Sequence, residues 1–243
     1  MTHSSVIRFL RAAALAALLV AAAVPARTQP SNTRTRVDVL EMPWRAIGKL
    51  QAVAGSLRTT CTAALVGPRT VLSAAHCLYN VRTRRFFPPS SLHFVAGLEG
   101  QGFAAAAVAE ALTTGPGYDP DDADATRGSD WALITLTAPM PAGVPLLPLG
   151  RRLPTAGAVA MIGGYARDNP NVLTADTGCH VTGFAVDGRG RRLILHDCAA
   201  MHGVSGAPLL VKGDAGWSIV GINVARAGAI GLAVTLDEIQ GRL

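Results

Sequence analysis

The chain is poor in charge and nearly without lysine. Of its 243 residues only 16% are charged while 49% are hydrophobic, and lysine occurs at Lys49 and Lys212 alone. That balance excludes a disordered or tail-like protein, which could not bury enough apolar surface to offset chain entropy, and it allows a sizeable core. Aromatic residues are scarce at 5%, and no basic stripe is interleaved with them. The densest arginine stretches, Arg82 to Arg85 and Arg189 to Arg192, sit beside turn residues. The formal net charge of +6 is therefore read as solvated loop charge, with no nucleic-acid partner.

Long apolar runs are also missing, with one exception. Arg8 and Arg11 precede an uninterrupted apolar stretch from Ala12 to Val24, followed by Pro25 and Ala26. Its length fits the ~7–15 residues of a signal-peptide core and falls short of the ~20 needed to span a bilayer. Residues 1–26 are thus expected to be a signal peptide, which implies a secreted or periplasmic protein with no stable membrane association after cleavage. Residues 27–36 are polar, contain Pro30, Ser31 and Asn32, and suggest a leader or short pro-segment. The folded domain is expected over 37–243.

Cysteine is limited to Cys61, Cys77, Cys179 and Cys198. Thiols that enter an oxidising compartment usually pair, and four allow three pairings. Joining sequence neighbours, Cys61 to Cys77 and Cys179 to Cys198, closes two short loops, each worth ~3 kcal/mol in the chain-entropy account. No Cys-x-x-Cys spacing supports a zinc site.

Glycine and proline, by contrast, are plentiful, at 26 and 15 residues, which is too many interruptions for a helical bundle or coiled coil. Short runs rich in Val, Ile and Leu alternate with turn clusters: Ala46 to Ala54, Cys61 to Val66, Thr70 to Ala74, Leu92 to Ala96, Trp131 to Leu136, Ala158 to Ile162, Arg192 to Leu195, Ser218 to Val224 and Gly231 to Val234. That spacing predicts strands. Phe103 to Leu112 is Ala-rich and ambiguous, and Thr235 to Leu243 has the Thr N-cap and acidic first turn of a short terminal helix. The fold is read as all-β, either barrels or a sandwich with Greek-key connections. A proline-rich stretch from Pro139 to Pro154 looks like a connector between two halves.

Three segments place a reactive side chain among small residues beside an apolar strand. They are Thr70 to Cys77 around His76, Ser129 to Ile134 around Asp130, and His202 to Leu209 around Ser205. A serine hydroxyl is a weak nucleophile at neutral pH, so acyl transfer needs a base for its proton and a carboxylate to orient that base. An α/β-hydrolase would place the histidine after the serine, yet no histidine follows Ser205, and Pro208 fits poorly in the helix that fold requires there. The order is His, Asp, Ser.

These segments resemble the chymotrypsin-like (trypsin-like) serine peptidases, and within them the bacterial glutamyl-endopeptidase branch. The resemblance rests on Pro43 to Leu50, on Cys61 leading through Gly67 to Leu72 into Ala-Ala-His-Cys, and on Gly203-Val204-Ser205-Gly206-Ala207-Pro208; it runs from about Pro43 to Leu236. It implies two six-stranded antiparallel Greek-key β-barrels, one over about 37–140 and the other over about 145–234, with the site between them. It further implies that Ser205 attacks, His76 relays the proton, Asp130 orients His76, and the amides of Gly203 and Ser205 form the oxyanion hole. Cys61 to Cys77 would pin the loop that carries the base. Activity would fall below the His76 pKa, near ~6.5 if unperturbed.

Where the sequence departs from the family, specificity is affected. Val204 stands where animal enzymes carry the aspartate that captures a new N-terminus, so cleavage after Arg36 would remove a pro-segment without forming that ion pair. The pocket positions hold Ala199, Ala200 and Asn223, with Arg226 just beyond, which suggests a small or polar pocket. Asp119, Asp121, Asp122 and Asp124 read as solvated loop, lacking the glycine and glutamate of a calcium loop. His180, His196 and His202 match no compact ligand set and read as surface or packing residues. The resulting expectation is a monomeric secreted serine endopeptidase acting on protein or peptide substrates without metal or cofactor. Alternatives are a binding pseudoprotease on the same fold, or an esterase using the same triad.

Overall fold

The computed structural model describes residues 34–214 and 216–242. The expected signal peptide, and all but the last three residues of the expected leader, lie outside that range.

The first half holds β1 (Thr35–Arg36), β2 (Ile47–Ala54), β3 (Leu57–Gly67), β4 (Thr70–Ser73), a small hairpin of β5 (Tyr79–Asn80) and β6 (Arg85–Phe86), then β7 (Leu92–Ala96), β8 (Ala105–Thr114) and β9 (Ala132–Leu136). Six of these close into an antiparallel barrel in the order β2-β3-β4-β9-β8-β7. Its strands carry Leu50, Leu65, Leu72, Phe94, Ile134 and Leu136, all buried. Burying each such side chain is worth about 1.5–3 kcal/mol relative to exposure. The Ala-rich stretch left ambiguous by its composition is β8. Alanine favours helix intrinsically, but here Ala105 and Ala109 are buried in the barrel while β8 pairs with β7 and β9 on either side, and tertiary pairing overrides a weak local preference.

The second half holds β10 (Val159–Gly164), β11 (Thr174–Val186), β12 (Arg192–His196), β13 (Pro208–Gly213), β14 (Gly216–Ala227) and β15 (Ile230–Thr235). These run in the order β11-β10-β13-β14-β15-β12, and β11 pairs with β12 to close the ring. One strand can border both neighbours because β11 is 13 residues long: its first half pairs with β10, its second with β12, and the register shifts between Val181 and Gly183. β1 adds to the outer edge of β11, with Thr35 opposite Ala175.

Between β9 and β10 the proline-rich connector forms no strand, as expected where prolines withhold the N–H groups that a ladder needs. It is nonetheless fastened to both barrels: Leu147 N–H bonds Leu65 C=O at 2.9 Å in the first, and Gly150 N–H bonds Ile219 C=O at 2.7 Å in the second. The expected terminal helix is reduced to a 3₁₀ turn at Gln240–Arg242, preceded by Ile239, which is fully buried. No helix among the described residues is long and apolar enough to cross a membrane.

Candidate active site

His76 and Asp130 lie far apart in sequence but meet because of strand register. β4 and β9 pair antiparallel with Ser73 opposite Ala132, so the residues just after β4 and just before β9 emerge at the same barrel end. His76 sits on the 3₁₀ turn Ala75–Leu78, and Asp130 follows the 3₁₀ turn Arg127–Ser129. The buried Asp130 carboxylate takes two hydrogen bonds from His76: the backbone N–H donates to Oδ1 at 2.8 Å and Nδ1–H donates to Oδ2 at 2.7 Å. An ionised carboxylate only accepts, so the imidazole proton is on Nδ1 and Nε2 is left as the basic nitrogen. The imidazole is 32% exposed, open enough to exchange protons.

Burial by itself would lower the His76 pKa, but the charge of Asp130 and its hydrogen bond prevail over it, and over the weaker opposing effect of Arg127. The net direction is upward from the ordinary value of 6.5.

Supports reach this pair from both barrels. Cys77, next to His76, is joined to Cys61 of β3 with an S–S distance of 2.03 Å. Asp187, in the turn between β11 and β12, accepts the Gly128 N–H at 2.8 Å, and its other oxygen accepts from Arg189 and Arg191 N–H at 2.9 and 2.8 Å. A hairpin of the second barrel thereby steadies the turn that presents Asp130.

Ser205 lies between β12 and β13 in a turn that requires glycine on either side. Gly203 has φ +96°, and a Cβ there would stand 2.3 Å from Tyr165 C=O. Gly206 has φ +77°, and its Cβ would stand 2.1 Å from Ser73 Oγ. Positive φ disfavours any other residue, and the contacts leave no room for one. The second cystine, Cys179–Cys198, braces β11 against the segment that enters this turn.

Thr62 of β3, fully buried, ties the turn to the first barrel. Its N–H donates to Ser205 C=O at 2.9 Å, and its hydroxyl donates to Gly203 C=O at 2.8 Å while accepting from Tyr165 N–H at 3.0 Å. Its own carbonyl accepts from Ser73 Oγ at 2.8 Å. His202 C=O accepts from Arg167 N–H at 2.7 Å. Since a trans peptide sets N–H opposite C=O, that bond turns the Gly203 N–H the other way.

A single open cleft of about 1060 Å³ is lined by His76, Ser205, Gly203, Ala200, Asn223 and Arg226 among others. Ala199 is not among its lining residues; its N–H is bonded to Asp176 Oδ2 at 2.9 Å. Arg226 reaches from the end of β14 to Ala200 C=O at 3.2 Å and to Gly228 C=O at 2.6 Å, so its guanidinium links two walls of the cleft. Of the remaining histidines considered from sequence, His180 faces Asp197 at the surface, His202 is exposed on the cleft, and His196 is wholly buried. The aspartate loop is held locally: Asp119 accepts from Asp121 N–H, Asp121 pairs with Arg84 at 2.5 Å and Asp124 with Arg127.

Sequence reading missed Thr62 and the role of Asp187. Thr62 follows Cys61 with no signal in its spacing, and Asp187 reads only as a turn residue until the two barrels are brought together.

The trypsin family profile matches residues 36–240, so the chain belongs to the trypsin family of chymotrypsin-like serine peptidases. Its fold is shared with two solved serine-peptidase structures. A solved structure of a Glu endopeptidase in complex with MPD superposes with a TM-score of 0.67 at 22% identity, covering 83% of this chain and 90% of that one. A thermostable serine protease, AL20, from an extremophilic microorganism, gives a TM-score of 0.63 at 20% identity, covering 79% and 91%. No curated protein sequence matches the chain.

Proposed function

We propose that the protein is a secreted or periplasmic serine endopeptidase that hydrolyses peptide bonds through an acyl-enzyme formed on Ser205. The observation that carries this reading is the Asp130-oriented imidazole of His76, with Nε2 left basic, in the same cleft as Ser205 and Gly203. His76 Nε2 takes the Ser205 proton as the hydroxyl oxygen attacks the scissile carbonyl. The carbonyl oxygen, now negative, is received by the N–H groups of Gly203 and Ser205. Collapse expels the amine, which leaves with the proton from His76, and water repeats the sequence to release the acid. Asp130 remains ionised throughout and stabilises the imidazolium.

Residues 1–26 serve as the export signal and 27–36 as leader. Removal of the leader after Arg36 leaves Val37 as N-terminus, and Val204 offers the new amine no carboxylate beside the nucleophile. The working enzyme is a monomer.

A fluorophosphonate probe tests this reading. The exported protein should label and Ser205→Ala should not; an unlabelled wild type, or equal labelling of the two, points to a binding pseudoprotease. Cleavage of a diverse peptide mixture, set against hydrolysis of simple esters, separates peptidase from esterase.

A further inference from the structure

The two N–H groups assigned to the oxyanion hole belong to two peptide units, His202–Gly203 and Val204–Ser205. Whether each donor points into the cleft depends on what holds the carbonyl at the back of the same peptide. For the first unit, Arg167 N–H holds His202 C=O at 2.7 Å. For the second, the Val204 carbonyl has two donors: Ala207 N–H at 3.1 Å within the turn, and the side-chain amide of Asn223, whose Nδ2 lies at 3.1 Å. Both lone pairs of that oxygen are thus engaged.

Asn223 is well placed for the task. Its backbone is locked to the same turn, with Gly206 N–H donating to Asn223 C=O at 2.8 Å and Asn223 N–H donating to Ala207 C=O at 2.9 Å. Its amide orientation is determined by its neighbours, because a carbonyl cannot donate: Nδ2 must face Val204, and Oδ1 is left facing His196 Nε2 at 3.2 Å. His196 must then carry its proton on Nε2 and donate it. The imidazole fits because Gly231 stands opposite; a Cβ there would lie 2.1 Å from the ring. Burial pushes the His196 pKa down to about 4, so the ring stays neutral at ordinary pH.

We infer that Asn223 is a positioning residue for catalysis: backed by the His196 Nε2–H, its amide anchors the Val204 carbonyl and so aims the Ser205 N–H at the developing oxyanion. This rests on the peptidase reading above. It differs from a role for Asn223 in side-chain selection, although the residue lines the cleft. A hydrogen bond at the carbonyl end of a peptide also polarises the unit and strengthens its N–H as a donor.

The test replaces Asn223 with leucine, similar in size but unable to donate, and with aspartate, nearly isosteric but with an acceptor facing the Val204 oxygen. Rates are taken per active site titrated with fluorophosphonate, and thermal melting of each variant reports folding. Loss of one oxyanion donor lowers kcat by about 10²–10³, so a donor left in place but misaimed should lower it by about tenfold or more, with KM within about twofold. Affinity for a peptide boronic acid, whose adduct oxygen occupies the oxyanion site, should fall by the same factor as kcat/KM. Affinity for the matching product peptide, and the order of preferred P1 residues, should not change. An unchanged kcat in a folded variant overturns the inference, as does a changed P1 order with kcat retained. A wild type that neither labels nor cleaves overturns the peptidase reading itself.

Discussion

The proposed mechanism turns on a single imidazole whose two nitrogens have different work. Asp130 claims Nδ1 and leaves Nε2 basic, and its negative charge and hydrogen bond also raise the pKa of His76 despite burial. The base must be neutral to accept a proton. The acid limb of kcat/KM should therefore be centred above 6.5, the ordinary histidine value, with activity rising as pH increases through it. Removing the charge with Asp130→Asn should move that limb downward and reduce kcat by roughly 10⁴, because an amide donor presented to Nδ1 selects the wrong tautomer. A pH–rate profile of both proteins checks the sign; a limb that stays in place on mutation would remove Asp130 from this role. His76, Asp130 and Ser205 stand out from sequence as candidates in small-residue settings. Their protonation states were not, since those depend on distances between residues 54 positions apart.

At the scale of elements, β3 does more than complete a barrel. Through Thr62 it touches Tyr165 just after β10, the Ser205 turn and the end of β4, with four hydrogen bonds meeting at one buried residue. Thr62→Val keeps the shape but strands the Gly203 carbonyl and the Tyr165 N–H, and a buried unsatisfied group costs about 1–3 kcal/mol. Thr62→Ser keeps the hydroxyl and should lose less than about half as much. Denaturant midpoints at constant slope measure the difference, and equal losses for the two variants would reject the hydrogen bonds as the cause. Strand β8 likewise takes its form from its partners. Its alanines promised helix as readily as strand, and only the open edges of β7 and β9 decided the matter. β13 was equally silent: it opens on Pro208 and takes its place from β10 and β14.

For the whole molecule, the buried His196 couples folding to acid. Its pKa is about 4 in the folded state, chiefly through burial, against an ordinary 6.5 when unfolded. Between these values the unfolded chain binds more protons, so this group makes stability rise with pH and fall on acidification from about 6.5 to about 4. The two values imply a loss of roughly 3 kcal/mol, complete below the lower one. Melting curves across that range should show the decline in the wild type and a flatter profile in His196→Gln; parallel profiles would assign the acid sensitivity to other groups. What the sequence determined by itself was whatever depends on local chemistry: a β-rich chain, glycines around Ser205, cysteines close enough to pair, and the His, Asp, Ser order. What the tertiary structure decided was everything set by register and closure. β4 against β9 brought His76 to Asp130, and a hairpin of one barrel secured a turn of the other. The amide of Asn223, which reads from sequence as a pocket wall, was turned onto the Val204 carbonyl. Such contacts join residues with no common period or spacing, so their partners become defined only when the barrels close.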